Sequence, residues 1–184
     1  MKVEFIKSTI KDFPVPDRPE VVFVGRSNVG KSSLINFLTG RKIARVSKEP
    51  GRTRTINYFL LEDKVYLVDV PGYGFARVPK REQERWKNMM ENYFKQRKSN
   101  IKHLFLLVDS IVGPQSLDMQ MIEWLEYIGV PFSVVLTKVD KASQKELSRT
   151  LKEVKKLVGE GAIVLTSSKE GKGKKELLGR ILGG

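Results

Sequence analysis

The sequence contains no cysteine among its 184 residues. Disulfide bonds, thiol catalysis and zinc–thiolate sites are therefore excluded, and we expect a reducing, cytoplasmic location. No apolar run approaches the length that spans a bilayer, and charged residues interrupt the apolar positions of 1–13, so we expect neither a membrane segment nor a signal peptide. The single histidine, His103, opens an apolar run, and we interpret it as structural rather than catalytic.

Acidic residues are scarce relative to basic ones: 21 Asp and Glu face 34 Lys and Arg, which leaves a net charge of +13. A solvated lysine- and glutamate-rich surface would account for many charges of both signs, but not for this imbalance. An excess of positive charge speeds encounter with polyanions. We therefore expect a nucleic-acid or nucleoprotein partner rather than a membrane. We also expect a monomer, and no DNA partner.

Apolar runs of strand length alternate with amphipathic helical patterns. The predicted strands are Val21–Val24, Ile56–Leu61, Val65–Val70, Leu104–Val108, Phe132–Leu136 and Ile163–Leu165, and the predicted helices lie near 33–38, 80–98, 115–128 and 143–158. This alternation predicts an α/β fold with a largely parallel six-stranded sheet, one antiparallel edge strand and helices on both faces. We expect one domain over 1–184, with 1–20 as a lead-in and 21–184 as the core.

A glycine-rich loop follows the first predicted strand. Residues 25–32 read GRSNVGKS, which matches G-x-x-x-x-G-K-[ST] between a strand and a helical pattern. Glycines let the backbone wrap a polyphosphate, Lys31 can bridge its β- and γ-phosphates, and the Ser32 hydroxyl can bind Mg²⁺. A glycine-rich turn with an incidental lysine is the alternative, which the flanking strand and helix disfavour. The predicted phosphate-binding residues are Gly25, Arg26, Ser27, Asn28, Val29, Gly30, Lys31, Ser32 and Ser33.

Two later motifs predict guanine as the base. The run Phe132–Leu136 ends in Thr137-Lys138-Val139-Asp140, at the strand end where α/β sheets bind ligands. The Asp140 carboxylate can accept from guanine N1–H and the 2-amino group, which adenine does not offer there. The stem of Lys138 can cover the base, and the Ser168 N–H can reach O6. The predicted guanine-binding residues are Thr137, Lys138, Asp140, Thr166, Ser167 and Ser168.

Two further loops are expected to sense the third phosphate. Asp69-Val70-Pro71-Gly72 ends a predicted strand, so that Asp69 can reach Mg²⁺ through a water and the Gly72 N–H can contact the γ-phosphate. In the stretch 50–55, Thr53 is the predicted hydroxyl ligand of Mg²⁺, and Thr55 is the alternative. Both loops would order with GTP and relax after hydrolysis. The predicted residues are Gly51, Arg52, Thr53, Arg54, Thr55, Asp69, Val70, Pro71 and Gly72, with Ser32, Thr53 and Asp69 on the metal.

With these motifs together, the chain resembles a Ras-like G domain, with strand order 2-3-1-4-5-6. More narrowly it is similar to the EngB (YihA or YsxC) family of ribosome-assembly GTPases, within the TrmE-Era-EngA-EngB-Septin-like superfamily. The resemblance runs from about Pro14 to the C-terminus on the phrases PEVVFVGRSNVGKSSLIN, PGRTRTINYF, DVPGYGFA, TKVD and TSSKEGKG. It implies GTP binding, slow hydrolysis coupled to late assembly of the large ribosomal subunit, and a need in cell division and septation.

One departure from the Ras pattern bears on catalysis. Tyr73 follows Gly72 where Ras-type proteins carry a water-positioning glutamine, so unaided hydrolysis should be slow. In related G proteins without that glutamine, an asparagine at the position of Asn28 helps to hold K⁺ near the phosphates. The alternative is that Asn28 only shapes the loop. The predicted catalytic residues are Lys31, Asn28, Thr53 and Gly72.

Basic residues cluster beside both switch loops and near the C-terminus. The clusters are Arg41, Lys42, Arg45, Lys48, Arg52 and Arg54; Arg77, Lys80, Arg81, Arg85, Lys87, Lys95, Arg97 and Lys98; and Lys169, Lys172, Lys174, Lys175 and Arg180. We expect GTP to order a surface that docks on ribosomal RNA, although each cluster alone could be a solvated face. The alternative function is a GTP-dependent RNA- or protein-binding module with incidental hydrolysis. A nucleotide kinase is disfavoured, because the guanine motifs would have no task.

Overall fold

The computed structural model describes residues 1–44, 55–74 and 79–183. Seven strands and five α-helices lie within them, and single 3₁₀ turns cover Lys98–Asn100 and Glu160–Ala162. The strands are β1 (Val3–Thr9), β2 (Glu20–Gly25), β3 (Ile56–Leu61), β4 (Val65–Asp69), β5 (Ile101–Asp109), β6 (Phe132–Thr137) and β7 (Ile163–Leu165). The helices are α1 (Lys31–Thr39), α2 (Lys80–Arg97), α3 (Ser116–Ile128), α4 (Gln144–Leu157) and α5 (Lys174–Leu182).

The strands form one sheet in the order β1-β3-β4-β2-β5-β6-β7. Strands β4, β2, β5, β6 and β7 are parallel neighbours, whereas β3 is antiparallel to β4. Without β1, this is the predicted order, and the Ras-like fold class is confirmed.

The predicted strand count of six is wrong, because part of the lead-in is a strand. Strand β1 pairs antiparallel with β3 and covers the edge that β3 was expected to form. Its charged residues Glu4 and Lys7 are exposed, and most of the strand is not buried. An edge strand of this kind lacks the continuous apolar run of a strand buried on both faces, which is why its pattern is weak.

Apolar side chains fill both faces of the sheet. Along β2, Val22 and Val24 pack on the α2–α3 side, while Val21 and Phe23 pack on the α1–α5 side. Each such fully buried side chain contributes roughly 1.5–3 kcal/mol relative to exposure. The loop that follows β2 is therefore anchored by a strand that is packed on both of its faces.

A buried ion pair lies at the opposite end of β2. Arg97 of α2 donates to Glu20 at 3.0 Å, and the hydroxyls of Tyr58 and Tyr93 each donate to the same carboxylate at 2.8 Å. Arg97 also donates to the carbonyl of Pro14, which ties the lead-in to α2. Arg97 was expected on the basic surface of α2, and that expectation is wrong: it is 5% exposed.

Within the described ranges, no helix combines the length and the apolar character needed to cross a bilayer.

Candidate nucleotide-binding site

The predicted phosphate loop lies between β2 and α1, at the carboxyl end of the parallel strands. Gly30 precedes α1 with φ +100°, and Asn28 also has a positive φ of 67°. Gly25 has no room for a side chain, because an added Cβ would lie 3.0 Å from Val29 Cγ1 and 3.1 Å from the Leu107 carbonyl oxygen. The motif's glycines thus serve a tight turn against β5, and the helix that follows offers its N-terminus to an anion.

Lys31 and Asp69 meet at the centre of this site. The Lys31 ammonium donates to a carboxylate oxygen of Asp69, and both side chains are only about one-tenth exposed, 13% and 10%. Lys31 begins α1 and Asp69 ends β4, so two separate motifs converge on one point. Ser32 is the next residue of α1, and Ser33 follows it on the same helix.

The segment after Asp69 lies directly on the phosphate loop. The Ser27 N–H donates to the Tyr73 carbonyl at 2.7 Å, and the Tyr73 N–H donates to the Gly25 carbonyl at 3.2 Å. A Cβ added to Gly72 would lie 3.1 Å from both the nitrogen and the Cα of Ser27. The Val70 N–H donates to Phe23, and Pro71 accepts from the Trp86 indole at 2.7 Å.

The guanine motifs also reach the phosphate loop. The Thr137 hydroxyl donates to the Val29 carbonyl at 2.7 Å, and the Lys138 ammonium donates to the Asn28 carbonyl at 3.0 Å. The second bond of the Lys138 ammonium goes to Asp109 at 3.1 Å. The Lys138 ammonium is thus held against the phosphate loop and the end of β5.

The two guanine motifs are joined to each other. The Ser167 hydroxyl donates to Asp140 at 2.8 Å, and the Val139 N–H donates to the Thr166 carbonyl at 3.3 Å. Thr166 and Ser167 are buried, while Ser168 is exposed beside them. Asp140 therefore contacts the residue that directly precedes Ser168, which brings the two guanine motifs together.

Tyr73 has an unexpected partner. Its hydroxyl donates to Asp118 of α3 at 2.5 Å, and the two residues are 8% and 1% exposed. Burial raises the pKa of the Asp118 carboxyl, while the hydrogen bonds from the Gln115 N–H and the Tyr73 hydroxyl lower it by less. Burial likewise raises the pKa of the Tyr73 hydroxyl, so this group stays protonated and donates. It is not available to position a water.

A cavity of about 190 Å³ lies between the phosphate loop and the β5–α3 connection. Its lining includes Arg26, Asn28, Asp109 and Asp118. Asp109 and Asp118 were not predicted from the sequence. Asp109 could have been found because it ends a strand on the ligand-binding edge, whereas the burial of Asp118 depends on Tyr73, which is distant along the chain.

Several predicted site residues lie outside the described ranges: Gly51, Arg52, Thr53 and Arg54. Thr55, the alternative metal ligand, lies just before β3 and its hydroxyl contacts the Asn57 amide oxygen at 3.4 Å. Among the residues that the structure describes, no group of three or more His, Asp and Glu side chains could hold a metal. A metal here would depend on Ser32, Asp69 and ligands from outside these side chains.

Comparison with known proteins agrees with this geometry. The family model described as "50S ribosome-binding GTPase" matches residues 20–138. The "Probable GTP-binding protein EngB" of Aquifex aeolicus is 67% identical over 182 residues, which cover 99% of this chain and all of that protein.

Solved structures give the same result for the fold. A crystal structure of a probable GTP-binding protein EngB is 30% identical, with a TM-score of 0.74, and the match covers 89% of this chain and 96% of that one. Era in complex with MgGDPNP and nucleotides 1506-1542 of 16S ribosomal RNA is 27% identical, with a TM-score of 0.67 and coverage of 89% and 55%.

The joined guanine motifs, the phosphate loop and the 67% identity over nearly the full chain lead to one conclusion: the chain belongs to the EngB family of GTP-binding proteins.

Proposed function

We propose that this protein is a slow GTPase that acts as a nucleotide-dependent switch on the large ribosomal subunit during its assembly. The observation that carries the proposal is the convergence of Lys31, Asp69 and the joined guanine motifs on one edge of the sheet. The description of the matching family and the RNA bound to Era support a ribosomal partner. We place the activity in the cytoplasm and, through the family resemblance, connect it with cell division.

The site suits Mg²⁺ in its donor chemistry. The Ser32 hydroxyl and the Asp69 carboxylate are hard oxygen ligands, and Asp69 is already held against the cation of Lys31. Bound Mg²⁺ would neutralise charge that develops on the β- and γ-phosphates. We assign Ser32 and Asp69 to the metal and keep Thr53 as the predicted third residue. Lys31 would exchange Asp69 for the phosphates when the nucleotide binds.

Intrinsic hydrolysis should be slow because Tyr73 stands in the place of the Ras glutamine. The Tyr73 hydroxyl is committed to Asp118 and buried. Asn28 lies exposed on the phosphate loop with a positive φ, and we propose that it helps to hold K⁺ near the phosphates. Potassium should then raise GTP turnover by about tenfold or more over sodium at equal ionic strength, because a fixed cation stabilises the transition state.

The potassium proposal has a matched control. Asn28→Gly keeps the left-handed backbone but removes the amide oxygen, so the difference between potassium and sodium should disappear. Equal turnover of the unchanged protein in the two salts would rule out this role for Asn28.

The switch and the simple binding module differ in what the partner does to hydrolysis. Steady-state GTP turnover should be measured alone and with isolated large or small ribosomal subunits. Turnover that rises with the large subunit alone supports the switch. Binding to the subunit without any change in turnover would support the alternative, a GTP-dependent binding module whose hydrolysis is incidental.

A further inference from the structure

The segment Pro71–Gly74 lies where a third phosphate would have to enter. In a phosphate loop the backbone N–H groups face the phosphates, and the Gly72 N–H is the group expected to meet the γ-phosphate. Here Gly72 and Ser27 are in contact: a Cβ on Gly72 would be 3.1 Å from the Ser27 nitrogen. The backbone at Gly72 therefore lies close against the phosphate loop at Ser27.

The same segment also takes hydrogen bonds that the loop would offer. The Ser27 N–H donates to the Tyr73 carbonyl at 2.7 Å, which continues the pairing of the sheet by a parallel bridge between Arg26 and Tyr73. Binding a third phosphate therefore requires the Tyr73 carbonyl to leave Ser27.

Contacts with α2 and α3 hold this segment in place. The Tyr73 hydroxyl donates to the buried carboxylate of Asp118 at 2.5 Å, and its ring packs edge-on against Trp86 at 5.5 Å. The Trp86 indole in turn donates to the Pro71 carbonyl at 2.7 Å. Of these contacts, the hydrogen bond to a buried carboxylate is the strongest single one, because one partner is charged.

We propose that Tyr73 is a positioning residue that selects between the nucleotides: its hydrogen bond to Asp118 holds Gly72 and the Tyr73 carbonyl against Ser27 and so favours GDP over GTP. The inference rests on the proposed function, because it concerns the difference between the GTP-bound and GDP-bound states. Displacing the segment Pro71–Gly74 takes free energy, which the binding of the third phosphate supplies. GTP binding then breaks the Tyr73–Asp118 hydrogen bond. Because α2 and α3 both contact the displaced segment, the surface that these two helices expose changes as well. A ligand shifts such an equilibrium only through its different affinity for the two states.

The direct test compares nucleotide affinities in Tyr73→Phe. Fluorescent GDP and a fluorescent non-hydrolysable GTP analogue are titrated into the unchanged protein and the variant. The ratio of the analogue's Kd to that of GDP should fall by about tenfold in Tyr73→Phe, which corresponds to about 1.4 kcal/mol and lies at the low end for a hydrogen bond to a charged group. The Kd for GDP should stay within about twofold, since GDP has no third phosphate to displace the segment.

The chain offers a matched control. Tyr58 is also a buried tyrosine whose hydroxyl donates to a buried carboxylate, that of Glu20, at 2.8 Å. Glu20 begins β2, so this hydrogen bond lies at the end of the strand away from the phosphate loop. Tyr58→Phe removes the same type of bond, so its effect on the affinity ratio should be absent. An equal shift in both variants would show a general loss of stability and overturn the proposal.

A second readout follows the segment itself. In a Trp124→Phe background, Trp86 is the remaining tryptophan, and its emission should change with the GTP analogue but not with GDP. In Tyr73→Phe, part of that change should already be present with GDP. An emission that responds equally to both nucleotides in both proteins would contradict the proposed displacement.

Asp118→Asn keeps the test decisive if Tyr73→Phe folds poorly. An amide oxygen accepts a weaker hydrogen bond than a carboxylate, so the affinity ratio should shift in the same direction by a smaller factor. Failure of either nucleotide to bind the unchanged protein would refute the proposed function. Tight binding of both nucleotides with an unmoved ratio in both variants would refute only the role of Tyr73.

Discussion

Tyr73 lacks the amide group of the Ras glutamine, but its backbone still contacts the phosphate loop at Gly25 and Ser27. Its position after Gly72 predicts slow hydrolysis, because a phenol does not replace a glutamine amide as an orienting group for water. Its geometry adds a reason that the sequence does not contain: the hydroxyl is buried against Asp118. Chemical type and burial lead to the same expectation.

Asp140 carries the most specific prediction at this scale. Asp140→Asn exchanges one of two acceptor oxygens for a donor, which opposes the N1–H or the 2-amino group of guanine. Affinity for GTP should fall at least tenfold, as expected for a lost charge-assisted hydrogen bond of about 1.5–3 kcal/mol. Titration with fluorescent nucleotides measures this, and xanthosine triphosphate, with an acceptor at C2, should bind the variant better than GTP. Unchanged GTP affinity would remove Asp140 from the base site.

His103 gives a pH dependence of stability. Burial lowers the pKa of the His103 imidazole below 6.5, and the nearby charges of Arg180 and Lys102 lower it further. The unfolded chain therefore takes up a proton before the folded one does, so the free energy of unfolding falls as the pH drops through 6.5 towards the folded pKa. Urea unfolding between about pH 7.5 and 5.5 should show this fall.

His103→Gln is the comparison for that measurement. The other titrating groups, Glu20 and Asp118 among them, are common to both proteins, so the difference between the two pH profiles isolates His103. Profiles that run parallel would contradict the assignment.

At the residue scale, sequence reasoning found the groups that lie in recognised motifs. It missed Asp109, which ends β5, and the buried carboxylates Glu20 and Asp118. Lys31, Asp69 and Asp140 stand at strand or helix ends, where a local motif specifies both their type and their position. Glu20 and Asp118 look like ordinary surface charges in the sequence. Their burial depends on tyrosines and an arginine distant along the chain, which no local pattern contains.

Among the elements, α2 connects the segment Pro71–Gly74 to the lead-in. Its N-terminal half contacts Pro71 through Trp86, and its last residue, Arg97, donates to both Glu20 and the Pro14 carbonyl. The C-terminal end of α2 is thus held by the hydrogen bonds of Arg97, while its N-terminal half contacts the segment beside the phosphate loop.

Removing Arg97 should destabilise the fold strongly. Arg97→Met leaves the Glu20 carboxylate buried without its cation, which we expect to cost about 3–5 kcal/mol of the free energy of unfolding. Chemical denaturation measures the loss, and the exposed neighbour Lys95→Met should change stability by less than about 0.5 kcal/mol. Adding Glu20→Gln to Arg97→Met should recover part of the loss. A loss in Arg97→Met no larger than that in Lys95→Met would contradict a role for the buried pair.

The elements that could be predicted are those with a strong period. Strands buried on both faces and helices with a wide apolar stripe were identified close to their actual bounds. Strand β1 and helix α5 were not. The first is an exposed edge strand whose apolar residues are interrupted by Glu4 and Lys7. The second is nine residues long, with Gly179 inside it and lysines at its start, so its apolar residues span only about two turns.

At the scale of the whole molecule, the exposed positive charge at the start of α2 is a candidate docking surface. Lys80, Arg81 and Arg85 are exposed on the first turns of α2. The same helix contacts the segment Pro71–Gly74 through Trp86. Ribosomal RNA is a polyanion, and each lysine or arginine that meets a phosphate adds about one unit to the salt dependence of binding.

Reversing these three charges should weaken binding to the large subunit and flatten its salt dependence. The control is Lys145→Glu, Lys152→Glu and Lys156→Glu on α4, an exposed set with the same change in net charge. Binding isotherms at several salt concentrations distinguish the two. Equal effects of both triple variants would mean that only the overall charge matters.

The most direct test of the central claim is sedimentation of this protein with separated large and small ribosomal subunits, in GDP or in a non-hydrolysable GTP analogue. We predict binding to the large subunit that requires the triphosphate and survives moderate salt. Equal binding with either nucleotide, to both subunits, and lost at moderate salt, would contradict the assembly switch.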